Sequence, residues 1–165
     1  MEMDLGSAII GAVAIIICAL PFVMMSRSRK KREKAFLQSL SKIATQNNCQ
    51  INQHEIFGNF AIGIDETKNF VFFFRQVKDN EIEQLVDLSE IQSCKVINTS
   101  RNFKNKDGNQ KVIDKLELSF TPTAKNKPEI KMEFFNADVN IQLYGELQSI
   151  EKWSKLINDR LKHKK

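Results

Sequence analysis

The chain has 165 residues, 42% of them hydrophobic, with a formal net charge of +5. One domain of roughly 130 residues plus a short N-terminal element is the economical division, and that length can bury a core. Its three cysteines form no CxxC pair and its two histidines, His54 and His163, stand apart, which excludes the usual zinc spacings.

The positive excess is local. Arg27, Arg29, Lys30, Lys31 and Arg32 put five cations into six positions. Setting these aside together with Glu2 and Asp4 leaves residues 33–165 at about +2. A domain so close to neutral argues against a nucleic-acid partner, which calls for cations spread over a face.

Taken in chain order, Leu5 to Met25 reads LGSAIIGAVAIIICALPFVMM, 21 residues without a charge. As a helix this run spans roughly 31 Å, about the hydrocarbon thickness of a bilayer. A signal peptide carries its cations before the apolar run, whereas here Glu2 and Asp4 precede it and the cations follow. Because positive residues stay on the cytoplasmic side, the expectation is a single-pass protein of the cell inner (plasma) membrane with its C-terminal domain cytoplasmic. The five cations would orient it and attract anionic headgroups of the lipid bilayer, each contributing about 1 kcal/mol. Ser7/Gly11 and Ala8/Ala12 offer a small-residue face for a homodimer through the anchor.

Residues 33–48 place Phe36, Leu40, Ile43 and Ala44 on one helical face, with Asn47 and Asn48 as a stop. The period then changes to two. IFGNFAIGID reads as one strand with Ile56, Phe60, Ile62 and Ile64 on a shared face, DETKN as a turn and FVFFF as the next strand. If Phe70, Phe72 and Phe74 face the core, Val71 and Phe73 lie opposite, and either the helix at 35–47 or a partner protein covers them. EIEQLVDL groups Ile82, Val86 and Leu88. After SCKV comes a polar stretch whose Asp107-Gly108 marks a tight turn. There Arg101, Lys104, Lys106 and Lys111 form either a solvated hairpin tip or a face toward anionic lipid. KLELSF and EIKMEFF alternate through Leu116, Leu118 and Phe120, then Ile130, Met132 and Phe134. From Glu146 to Leu161, Leu147, Ile150, Trp153, Ile157 and Leu161 make one apolar stripe of a closing helix.

Six strands followed by an amphipathic helix resemble the pleckstrin-homology superfold in its bacterial PH/GRAM-like form. The residues that carry the resemblance are IGIDETKNFVFFF (62–74), LVDLSEIQSCKV (85–96) and GELQSIEKWSKLI (145–157). The expected fold class is therefore α+β: an N-terminal transmembrane helix, then a PH-like curved antiparallel sheet or barrel capped by a C-terminal amphipathic helix. Its divisions are 1–26 as anchor, 27–50 as basic juxtamembrane segment and linker helix, and 51–165 as the PH-like domain. The resemblance implies a binding or scaffolding module, with a structural subunit of a larger membrane protein complex as the alternative. The family's lipid-binding members have a basic first hairpin, whereas DETKN sets Asp65 and Glu66 against Lys68 alone. No phosphate-cradling glycine loop, nucleophile elbow or HExxH is present, so neither catalytic residues nor a cofactor or metal are expected.

Overall fold

The computed structural model describes residues 27–105 and 108–163, with side chains described for all of these except 103–105 and 108–110. Helix α1 covers residues 27–46. Seven strands follow: β1 (Gln53–Phe57), β2 (Phe60–Asp65), β3 (Phe70–Val77), β4 (Asn80–Asp87), β5 (Ile91–Asn105), β6 (Gly108–Pro122) and β7 (Ile130–Asn136). Helix α2 (Glu146–His163) closes the described chain. The strands make two antiparallel sheets, β1-β2-β3-β4 and β5-β6-β7, each in chain order.

The main core lies between the sheets. Phe60, Ile62, Ile64, Val71 and Phe73 from the first sheet meet Leu116, Leu118, Phe120, Met132 and Phe134 from the second. Phe60 is central, with its ring centroid 4.7 Å from that of Phe134 and 5.5 Å from that of Phe73. Helix α2 seals the open side with Ile150, Trp153 and Ile157, as the stripe predicts. The Trp153 indole Nε1–H donates to Glu55 Oε2 on β1 at 2.7 Å, so the helix is tied to the far edge of the first sheet.

A second, smaller core sits on the outer face of that sheet. Phe36, Leu40, Ile43 and Ala44 of α1 pack on Ala61, Phe72 and Phe74. Gly63 makes the approach possible, since a Cβ there would lie 2.9 Å from Leu40 Cδ2 and 3.0 Å from Ile51 Cγ2. Asn48, in the left-handed region at φ +55°, ends α1 as expected, and the turn returns the Cys49 N–H to the Ala44 carbonyl at 2.8 Å.

Several expectations are corrected. Among the described residues the fold is mostly β, with two α-helices and two separate antiparallel sheets rather than one curved sheet behind a transmembrane helix. Among the described residues no helix is long and apolar enough to cross a membrane. The reason is visible in their faces: both helices bury one stripe and turn charged residues to the other side. The run Leu5–Met25 lies outside the described residues, and a single-pass inner-membrane placement is not supported. IFGNFAIGID is two strands, because Gly58-Asn59 closes a two-residue hairpin with Phe57 opposite Phe60. The phase of β3 is also reversed. Val71 and Phe73 are fully buried between the sheets, and it is Phe72 and Phe74 that α1 covers.

Candidate partner-binding surface

The loop from β7 to α2, residues 137–145, carries the most exposed apolar side chains among the described residues. Ile141 is fully exposed, Tyr144 is 77% exposed and Val139 42%. Hydrogen bonds hold the backbone at both ends of the loop. The Asn136 carbonyl accepts from the N–H groups of Val139 (3.0 Å) and Asn140 (2.8 Å), and its side-chain Oδ1 accepts from Asp138 N–H at 3.0 Å. Ala137 N–H donates to the Asp114 carbonyl on β6 at 2.8 Å. The Asn59 amide donates to Asn140 Oδ1 at 3.4 Å, linking the loop to the β1–β2 turn. At its far end Gly145 adopts φ +111°, and the buried Glu146 carboxylate accepts from Tyr144 N–H. Leu143 tucks inward against the main core while its neighbours stay out. Burying an isoleucine contributes about 1.5–3 kcal/mol, which this fold leaves unused at Ile141. Three such residues within six positions make a patch rather than a stray exposure.

A cleft enclosing about 310 Å³ opens where the first sheet meets the β6–β7 loop. Phe70, Leu85, Ile91, Pro122, Pro128 and Ile130 line it. An ion pair between Lys127 and Glu90, at 2.6 Å, stands at its wall.

Charged groups join the two sheets at the opposite end of β3. Arg75, only 1% exposed, donates through Nη1 to Glu133 on β7. Lys115 Nζ lies 2.8 Å from Glu117 and 3.0 Å from Glu133. Burial alone would raise the Glu133 pKa, but Lys115 and Arg75 together hold it below the ordinary value. Hydrogen bonds to Glu117 and Glu133 raise that of Lys115. Arg75 Nε and Nη2 have no hydrogen-bond partner among the described residues. The network holds the Glu133 carboxylate ionised and paired, which suits a tie between sheets.

The polar turn after β2 is built on one carboxylate. Asp65, 2% exposed, accepts from Gln50 N–H (2.8 Å), Thr67 N–H (2.8 Å) and Lys68 N–H (2.9 Å). Burial pushes its pKa up, and the three backbone donors outweigh that and bring it below the usual aspartate value. Burial raises the Cys94 thiol to about 12, and Cys49 and Cys94 are both buried free thiols. Among the described residues no group of three or more His, Cys, Asp or Glu is placed to hold a metal.

The residues singled out in the sequence fall in three places. Val71 and Phe73 are interior and present nothing to a partner. Arg27, Arg29, Lys30, Lys31 and Arg32 occupy the first described turns of α1, all exposed, with Arg29 paired to Glu33 (3.0 Å) and Arg32 over the Phe36 ring. Arg101 and Lys111 sit on neighbouring rungs of the β5–β6 ladder, both exposed, and Arg101 pairs with Asp114 at 2.7 Å. The Lys104 backbone lies on β5 opposite Asn109, and Lys106 lies outside the described residues. The Ile141/Tyr144 patch was missed. Its signal was a charge-free run from Val139 to Gly145, too irregular to be a strand and too apolar for an ordinary loop.

No family model matches the chain, and neither a curated protein nor a solved structure matches it.

Proposed function

We propose that this chain is a non-enzymatic binding module of pleckstrin-homology-like design, and that it docks its partner through the β7–α2 loop. Support for the PH-like element comes from seven strands in a four-plus-three arrangement closed by a C-terminal helix. Support for the docking role comes from one observation above all: Ile141 and Tyr144 stand exposed on a loop whose two ends are already held by hydrogen bonds. A loop ordered in advance loses little entropy on binding, and aromatic and large aliphatic anchors carry most of a contact's energy.

The test reads burial of the loop without assuming what buries it. In a Cys18→Ser background, cysteine is placed at Ile141 and, separately, at the exposed Glu151 of α2. Labelling by a water-soluble maleimide is then compared between intact cells and purified protein. The 141 site should label several-fold more slowly in cells while the 151 site does not. Equal labelling at both sites in both settings would show the loop to be free and the proposal wrong.

A further inference from the structure

The positive charge of this molecule is sorted by the fold onto segments that project from its body. Helix α1 first touches the core at Phe36, so residues 27–35, about 13 Å of helix, lie N-terminal to its first core contact. They carry six cations, Arg27, Arg29, Lys30, Lys31, Arg32 and Lys34, against Glu33 alone, a net +5. The second projection is the distal part of the β5–β6 hairpin. Strand β7 pairs with β6 only from Lys115 onward, which leaves residues 100–105 and 108–113 as a two-stranded ribbon without a neighbour on that side. The described ribbon bears Arg101, Lys104 and Lys111 and no acidic residue.

These segments are some 70 positions apart in sequence, yet they leave the body around one residue. The Phe36 ring meets that of Phe74, the chain neighbour of Arg75, in a tilted contact at 5.4 Å, and α1 runs from there toward Cys49 at the other end of β3. The ribbon starts where β7 stops, at Asn136, three residues beyond the Glu133 that binds Arg75. The exposed loop is anchored there too, since Asn140 bonds to Asn59, beside the Phe60 that is paired with Arg75. One pole thus carries two basic arms with Ile141 and Tyr144 close by. The acidic turn Asp65–Glu66 lies at the opposite pole, beside Phe70, while Asp79 and Glu81 of the β3–β4 hairpin, Asp114 and Asp138 share the basic pole, where the cations outnumber them.

We infer that this pole rests on an anionic phospholipid surface. The inference rests on the docking reading of the 137–145 loop and names its partner. Cations on two arms, with an exposed aliphatic residue and a tyrosine at the same pole, combine the charge and the apolar contact that an anionic lipid interface accepts. A surface contact of this kind requires no helix that crosses the membrane. Nucleic acid would meet the same cations, but it offers no apolar layer for Ile141.

The experiment is co-sedimentation of the full chain with vesicles. One set is pure phosphatidylcholine and the other contains about 30% phosphatidylglycerol, each at low and at physiological-to-high ionic strength. A short DNA duplex is titrated in parallel. Partition onto the anionic vesicles should exceed that onto neutral ones and fall steeply with salt. Each cation removed should lower it on the order of fivefold, both in the α1 set (Arg27, Arg29, Lys30, Lys31 and Arg32 to Gln) and in the ribbon pair Arg101→Gln/Lys111→Gln. Ile141→Asp should weaken it further, with the circular dichroism spectrum unchanged. Equal binding to neutral vesicles, no loss on changing the ribbon pair, or tighter binding to the duplex would each overturn the inference. Slow maleimide labelling at position 141 in cells would survive any of these results, so the docking reading stands or falls separately.

Discussion

Trp153→Ala is the sharpest test of how the helix closes the sheets. The indole is 2% exposed, the largest fully buried side chain among the described residues, and it lies among Ile150, Ile157 and both sheets. Removing it forfeits its transfer energy and leaves a void, together about 3–5 kcal/mol. The lost hydrogen bond adds little, because Glu55 keeps Ser149 Oγ at 3.1 Å and Lys152 Nζ at 3.3 Å and remains partly solvated. Against a typical total of about 5–15 kcal/mol this is a large share, and the midpoint should drop by roughly 10–15 °C. Trp153 is the only tryptophan, so the assay is urea and thermal unfolding by circular dichroism rather than fluorescence. Trp153→Phe retains most of the ring volume and should cost less, about 1–2 kcal/mol, mainly for the space the smaller ring leaves. A midpoint for Trp153→Ala within about 2 °C of the parent would mean that α2 is not locked through this residue.

Two further outcomes follow from buried carboxylates. Asp65 has a folded pKa below its unfolded value, so its contribution is complete above about pH 4 and fades as pH falls through the folded value. Asp65→Asn should cost about 1–3 kcal/mol at neutral pH, since an amide oxygen cannot accept all three N–H donors, and should flatten the acid limb of the stability curve. An unchanged acid limb would assign that limb to other groups. Glu133→Gln strips the buried Arg75 of its charge partner and should cost about 3 kcal/mol in urea unfolding. Adding Arg75→Met to that variant should recover most of the loss, and a double variant no more stable than the single one would mean that Arg75 is not confined to that partner.

The separation between what the chain order determined and what packing determined follows from period and burial. The closing helix was legible because its stripe, Leu147 to Leu161, repeats every three or four residues with charges between. The α1 face from Phe36 to Ala44 and its stop at Asn48 were legible for the same reason. The turn at 65–69 was legible from composition alone, although the three donors that converge on Asp65 were not.

The β1–β2 hairpin escaped because a two-residue turn preserves alternation: Ile56, Phe60, Ile62 and Ile64 stay in phase across it, and only the Gly58-Asn59 pair marked the break. The phase of FVFFF could not be read at all. Residues 71–75 are buried on both faces, so no polar side exists to fix which set turns inward. That choice belonged to α1, which takes Phe72 and Phe74 and leaves Val71 and Phe73 for the main core. The full 15-residue length of β5 and β6 was hidden because the alternation of apolar residues lapses into a mostly polar sequence after Ile97 and before Val112. The Leu5–Met25 run shows the reverse limit, in that an uncharged stretch of spanning length set an expectation that no described helix meets. Above all, residues 27–35, 100–105, 108–113 and 137–145 are strangers in sequence, and only the packing of the two sheets on each other, with Arg75 and Glu133 joined across it, brings them to one end of the molecule. Sequence periodicity reports which way a side chain points relative to its own backbone. Which segments then share a surface depends on long-range contacts that no local pattern encodes.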